Sequence, residues 1–185
     1  MSANYVILPA EETDLEEIAQ LVNSAYRGDT SRKGWTTEAD FLDGQRTDAP
    51  LLGDALKDIR RMILCLRENE KGPILGCVAL ERFDDARGRG CYLGMLTVNP
   101  KLQAKGLGKI LLKRAEEFAQ AGGATRMTLG VIHLRESLMA WYERHGYRPT
   151  GETKPFPYGD PRAGLPKRDD LHFILFEKPL KPHTA

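Results

Sequence analysis

The chain is short of several things that would place it in a class at once. No apolar run approaches the roughly 18 residues that a bilayer-spanning helix needs, so no membrane segment is expected. Charge of one sign is not in surplus: Lys and Arg total 27, Asp and Glu 26, and the formal net charge is +1. A general nucleic-acid binder would show a pronounced basic excess, and that class is set aside. Cysteine is scarce, with only Cys65, Cys77 and Cys91, and no C-x-x-C pair. Isolated in apolar settings, these read as buried free thiols in a reducing compartment, which makes the cytoplasm the expected address. Met1 to Glu12 lacks the charged-then-apolar layout of a secretory signal. His133, His145, His172 and His183 share no ligand-like spacing with the cysteines, so no metal is expected. There is no G-x-S-x-G elbow for a serine hydrolase.

What is present fits one domain over 1–185, with its core at about 5–178 and a proline-containing tail at 179–185. A chain of 185 residues can bury about 70% of the surface it exposes unfolded. Tyr5–Leu8 reads as a strand closed by Pro9. Thr13 and Glu16 form a capping-box signal ahead of a helix whose apolar face is Leu15, Ile18, Leu21, Val22 and Ala25. The polar stretch from Arg27 to Ile59 predicts short helices, with Thr37–Asp40 a second capping signal. Met62–Leu66, Ile74–Phe83 and Cys91–Val98 predict an antiparallel meander, with turns at Glu70–Pro73 and Asp84–Gly90. Leu107, Ile110, Leu111, Arg114 and Phe118 trace a helix stopped by Gly122-Gly123. A strand at Met127–Ile132, a helix from Leu138 to His145 and a strand at Leu171–Phe176 follow. The order predicts an α/β (α+β) domain: a mixed, mostly antiparallel twisted sheet with helices on both faces.

The most informative stretch runs Leu96-Thr97-Val98-Asn99-Pro100-Lys101-Leu102-Gln103-Ala104-Lys105-Gly106-Leu107-Gly108-Lys109. A strand leads through a short loop into an amphipathic helix. The first amides of that helix have no intrahelical acceptor and sit at the positive end of its dipole. Glycines at 106 and 108 allow close approach of a ligand. These features suit a phosphate or pyrophosphate. A Walker A loop is excluded by Gln103 and Ile110, which stand where Gly and Ser/Thr would be. The dinucleotide fingerprint fails at Leu111.

Gln103-x-x-Gly106-x-Gly108, after a strand ending in Leu-Thr-Val-Asn-Pro, resembles the acyl-CoA loop of the GNAT superfamily of N-acetyltransferases. Tyr142-Glu143-Arg144-His145-Gly146-Tyr147, about thirty residues on, is similar to that superfamily's later helix. The resemblance implies acetyl-CoA as cosubstrate and a small-molecule or peptide amine as acceptor, and leaves a homodimer open. It implies that the strand at Gly94–Val98 splays from Met127–Ile132 and that the pantetheine arm enters the gap. By position, Leu96, Thr97 and Val98 would meet that arm through the main chain. Gln103, Ala104, Lys105, Gly106, Leu107, Gly108 and Lys109 would hold the pyrophosphate. Tyr142 falls at the position of the general acid. Arg135 stands where many relatives carry a cofactor-contacting asparagine.

The resemblance also bears on two further roles. An alkyl amine is neutral in only about one molecule in 2,500 at pH 7, so a proton acceptor is wanted. Many members of the superfamily carry a glutamate on the strand before the loop, but the strand at 91–98 has no carboxylate; Glu81 and His133 are considered in its place, and the base is left unassigned. The resemblance implies that the segments holding Tyr26, Arg27, Trp35–Asp40 and Glu152–Asp170 flank the acceptor, the second as a long ordered loop. Glu38, Asp40 and Asp160 are candidate landing points for a cationic amine. A non-catalytic acyl-CoA-binding or sensory module, and a longer acyl donor, remain alternatives to acetyl transfer.

Overall fold

The computed structural model describes residues 5–34, 37–103 and 105–181. After β1 (Val6–Pro9) comes α1 (Leu15–Tyr26). The turn before α1 is closed by Glu11 and Asp14 and not by Thr13: the Glu11 amide donates to Asp14 Oδ2 at 3.0 Å. A carboxylate acceptor makes the stronger, charge-assisted bond. The short α2 (Gly28–Ser31), β2 (Leu42–Asp43) and α3 (Ala49–Leu56) occupy the polar stretch. Thr37–Asp40 does not start a helix, because the Phe41 and Leu42 amides both return to the Glu38 carbonyl. The helix waits for Asp48, whose Oδ1 accepts from the Leu51 amide at 2.8 Å.

The meander is β3 (Arg61–Arg67), β4 (Gly76–Asp85) and β5 (Gly88–Val98). Most of the expected turn at 84–90 is strand, since pairing continues to Asp85 and Gly88. Gly88 supplies the positive φ of 94° that such a tight reversal requires. Then follow α4 (Leu107–Ala121), β6 (Arg126–Ile132), α5 (Glu136–Arg144), β7 (Arg148–Pro155), β8 (Leu165–Pro166) and β9 (His172–Pro179). β7 lacks the alternation by which strands are read, because it is exposed along its whole length at the sheet edge. The tail reading is shortened too: β9 reaches Pro179, and Leu180 is buried with its amide on the Thr125 carbonyl.

Seven strands form one sheet in the order β1-β3-β4-β5-β6-β9-β7. Only β5 and β6 run parallel, with α4 as the crossover. Alternation sends Ile63, Cys65 and Cys77 to the face covered by α1 and α3. Leu64, Leu66 and Val78 point to the face covered by α4 and α5. A small third cluster, centred on Phe41, Leu42, Phe156 and Leu171, joins the two expected acceptor segments. The β2–β8 pairing fastens them further, as does a Lys167–Asp43 ion pair at 2.9 Å. All three cysteines are buried free thiols, and burial pushes Cys65 up to about 12 and Cys91 to about 11. None is a thiolate at neutral pH.

Leu111, fully buried on α4, packs in the larger cluster against the sheet. Leu111→Ala should cost about 2–5 kcal/mol through lost transfer energy and the cavity left behind. Denaturant unfolding should report a lower midpoint with little change in slope.

Candidate active site

β5 carries a bulge in its pairing with β4. Cys77 faces Thr97 and Ala79 faces Gly94, so Met95 and Leu96 together stand opposite Val78. Met95 takes a φ of +54°, costly for a residue with a Cβ. A bulge bends and twists its strand. Here it coincides with the end of β5–β6 pairing: the partners are Gly90–Arg126, Cys91–Met127 and Tyr92–Thr128, and none beyond. From Leu129 to Ile132, β6 is paired with β9 alone.

Past that point, at the end of β5, lies a cavity of about 390 Å³. Its walls include Leu96 and Val98 from β5, Gly106 and Gly108 at the start of α4, and Trp141 and Tyr142 from α5. Gly106 is the N-cap of α4, with φ 79°, and no side chain caps this helix. The contrast with α3, capped by Asp48, is direct. A Cβ placed at Gly106 would meet nothing within 4 Å, so the main chain is open to a ligand there. Lys105 and Lys109 are exposed beside it, whereas Leu107 turns into the core.

Tyr142 is buried, with its ring edge-on to Trp141 and to Tyr147. Burial pushes its phenol well above the usual 10, with smaller contributions from Tyr26, which also raises it, and Arg135, which lowers it. The hydroxyl therefore stays protonated at neutral pH. Its oxygen makes no hydrogen bond to a described residue.

A family model described as acetyltransferase (GNAT) family matches residues 15–147. The chain belongs to the GNAT acetyltransferase family. Among solved structures it is similar to a putative phosphinothricin N-acetyltransferase, at 15% identity and TM-score 0.70, covering 96% of this chain and 99% of that one. It is similar to yncA of Salmonella typhimurium, a putative acetyltransferase crystallised with acetyl-CoA, at 22% identity and TM-score 0.67, covering 98% and 97%. The ribosomal-protein-S18-alanine N-acetyltransferase of Escherichia coli aligns at 15% identity and TM-score 0.65, covering 98% and 97%. No curated protein matches by sequence. The mixed, mostly antiparallel sheet with helices on both faces is the fold these acetyltransferases share.

Within this GNAT cleft the expected residues divide. Leu96 and Val98 line it, but their carbonyls already accept protein donors. Tyr26 Oη donates to the Leu96 carbonyl at 2.7 Å, and Gln103 Nε2 donates to that of Val98 at 3.3 Å. A carbonyl has a second lone pair, so neither is closed to a ligand. Thr97 faces away, fully buried, with its hydroxyl on the Met95 carbonyl at 2.9 Å. Gln103 packs onto Gly34, where a Cβ would lie 2.5 Å from its Oε1. Ala104 lies outside the described residues, as do Trp35 and Thr36 of the first acceptor segment.

Arg135 does not reach into the cavity. At the N-cap of α5 its guanidinium turns to Glu38, at 3.0 Å, and lies 5.3 Å from the centroid of the Tyr26 ring. Glu38 also pairs with Arg27, and all three side chains are buried. Glu38 is thus no landing point for a cationic amine. Asp40 and Asp160 are paired too, with Arg32 and Arg162. A carboxylate facing a guanidinium has its charge already met, and Arg forks fit carboxylates bidentately. Burial alone would raise the Glu38 pKa, but the fields of Arg135, Arg27 and Arg46 outweigh it and hold the group below the ordinary value. Neither alternative base lines the cavity: Glu81 pairs with Arg61 at 3.2 Å, and His133 stacks on His172 at 4.0 Å. Tyr26, Trp141 and His145 were not among the expected cofactor-binding residues, and all three line this cavity. Tyr26 carried no signal for this, since its hydroxyl meets a carbonyl 70 residues away.

Among the described residues, no group of three His, Cys, Asp or Glu could hold a metal ion. No described helix is long and apolar enough to cross a membrane.

Because the folded-state pKa of Glu38 is depressed, its contribution to stability is full above the ordinary carboxylate pKa of about 4.3 and is lost as pH falls through the lowered folded value. Glu38→Gln should cost about 3–5 kcal/mol near neutral pH, since it leaves buried guanidinium charge uncompensated. Urea titrations between pH 7 and pH 3 should show the gap between wild type and variant narrowing in acid.

Proposed function

We propose that this GNAT protein transfers the acetyl group of acetyl-CoA to an amine of a small molecule or peptide. The observation that carries the reading is the meeting, in one cleft, of a helix N-terminus without a side-chain cap and a phenol that bonds to no described residue. The first amides of α4 and its dipole suit a diphosphate, and the open face at Gly106 leaves room for one. Lys105 and Lys109 add positive charge at the rim. The gap between β5 and β6 offers the Leu96 and Val98 main chain to an extended arm, beneath the indole of Trp141. Bound acetyl-CoA supplies an electrophilic thioester carbonyl and a thiolate leaving group. Tyr142 Oη holds a proton that it can give to the departing sulfur. A thiol's ordinary pKa is about 8.5, so this transfer from a phenol is feasible only where the two are held together. Holding the reactants in line supplies much of the acceleration, since effective molarities can reach about 10^5 M or more. The buried free thiols suit a reducing compartment such as the cytoplasm.

CoA should raise the melting temperature, because it binds only the folded state. Gly106→Asp should abolish that shift while Gly106→Asn, which also tolerates the left-handed backbone, should keep most of it. Equal loss in both would locate the effect in the backbone and not in charge against the diphosphate. Tyr142→Phe should lower kcat by about 10²-fold or more with little change in CoA affinity; stopped-assay detection of released thiol and the melting shift separate the two.

A further inference from the structure

A second cavity, of about 250 Å³, lies on the α1/α3 face of the sheet, lined by Leu52, Ile63, Ala79 and Met95 together with Arg46 and the paired Arg61 and Glu81. Tyr26 stands between the two cavities: it lines the first, and the Arg46 guanidinium carbon sits 5.9 Å from its ring centroid. Arg46 is half-buried, and among the described residues its guanidinium meets no carboxylate or carbonyl. The other cations nearby are matched: Arg27 and Arg135 by Glu38, and Arg61 by Glu81.

The main chain under Arg46 is held firmly. The Arg46 amide donates to Asn23 Oδ1 at 2.6 Å and the Thr47 amide to the same oxygen at 3.2 Å. Asn23 Nδ2 donates in turn to the Thr47 carbonyl at 2.8 Å. One amide of α1 thus clamps the loop at three points. A guanidinium carried on a clamped main chain, over the Tyr26 ring and with donors unused by described residues, in a largely apolar chamber, suits a planar anion.

Resting on the acetyl-CoA reading above, we infer that the acceptor is a small amine that also carries a carboxylate, an α-amino acid with an apolar side chain, and that Arg46 is its specificity residue. The carboxylate lies on the Arg46 fork, the side chain lies among Leu52, Ile63 and Met95, and the amine is turned past Tyr92 toward the place where β5 and β6 part and the thioester would lie. A free carboxylate is required because the fork's donors are otherwise left unmet inside the occupied chamber.

The test uses the full chain with acetyl-CoA. L-Leucine and L-methionine are compared with leucinamide and methioninamide, reading thiol release and N-acetyl product by mass. The acids should be favoured in kcat/KM on the order of tenfold or more. Arg46→Gln should collapse that acid-to-amide ratio toward parity, mainly through KM for the acid, and Arg46→Lys should restore part of it. Taking the ratio between variant and wild type cancels the differing basicity of the amines. The CoA-induced melting shift, measured on every variant, reports that the fold and the cofactor cleft are intact. Equal use of acids and amides, a ratio unmoved by Arg46→Gln, or no acetylated acid while CoA still raises the melting temperature would each overturn the inference and leave the cofactor reading standing. Loss of the CoA shift in the wild type would overturn both.

Discussion

The site depends on one irregularity in the sheet, the bulge that sets Met95 and Leu96 against the single residue Val78. An evenly paired β5 would continue its parallel ladder with β6 past Tyr92, and the two strands would leave no gap. With the bulge, the strands part, and the main chain of β5 is exposed on the side where α4 begins. The strained φ of Met95 persists because both flanks are over-determined. Antiparallel pairing resumes at once on either side of it, and the Thr97 hydroxyl braces the Met95 carbonyl.

Around that opening the protein places polar groups that are matched within the fold and a few that are not. Glu38 ties Arg27 and Arg135 together beneath Tyr26, joining the loop after α1 to the start of α5. Such a buried ion cluster is a poor source of net stability compared with apolar packing, because desolvation offsets much of the attraction. Its effect is geometric. It fixes Tyr26, whose hydroxyl is bonded to the Leu96 carbonyl, and so sets one wall of the cavity at the end of β5. Among the described residues, the groups left without a protein partner around the opening include the first amides of α4, the Tyr142 hydroxyl, the Arg46 guanidinium and Arg27 Nε. In a close-packed interior such groups are the exception, and here they lie on the two sides of one strand.

Much of the architecture was legible in the chain because its signals are local. The apolar stripe of α1, the meander from β3 to β5 and the glycine-bearing entry to α4 each report a periodicity or a turn requirement within a dozen residues. β7 was not legible, since an exposed edge strand containing Pro149 and Gly151 has no alternation to read. The start of α1 was misplaced because Asp14 competes successfully with Thr13 for the turn. The helix expected near Thr37 gave way to a turn because Glu38 is drawn inward by two arginines, one of them 97 residues away in the chain.

The same division holds for the site. Gln103, Gly106, Gly108 and Tyr142 stand out in the amino-acid order, since the residue types that suit an open helix start and a proton donor recur at short spacings. Arg135 shows the limit of that reading: its position suggested a cofactor contact, yet the charge of Glu38, 97 residues away, turns it elsewhere. Sequence alone therefore determined the family, the fold class and the loop that opens α4, all of which are written in neighbouring residues. Tertiary structure decided which charges are spent on one another, which carbonyls are taken and which guanidinium is left over, because pairing energy depends on distance through space and not along the chain.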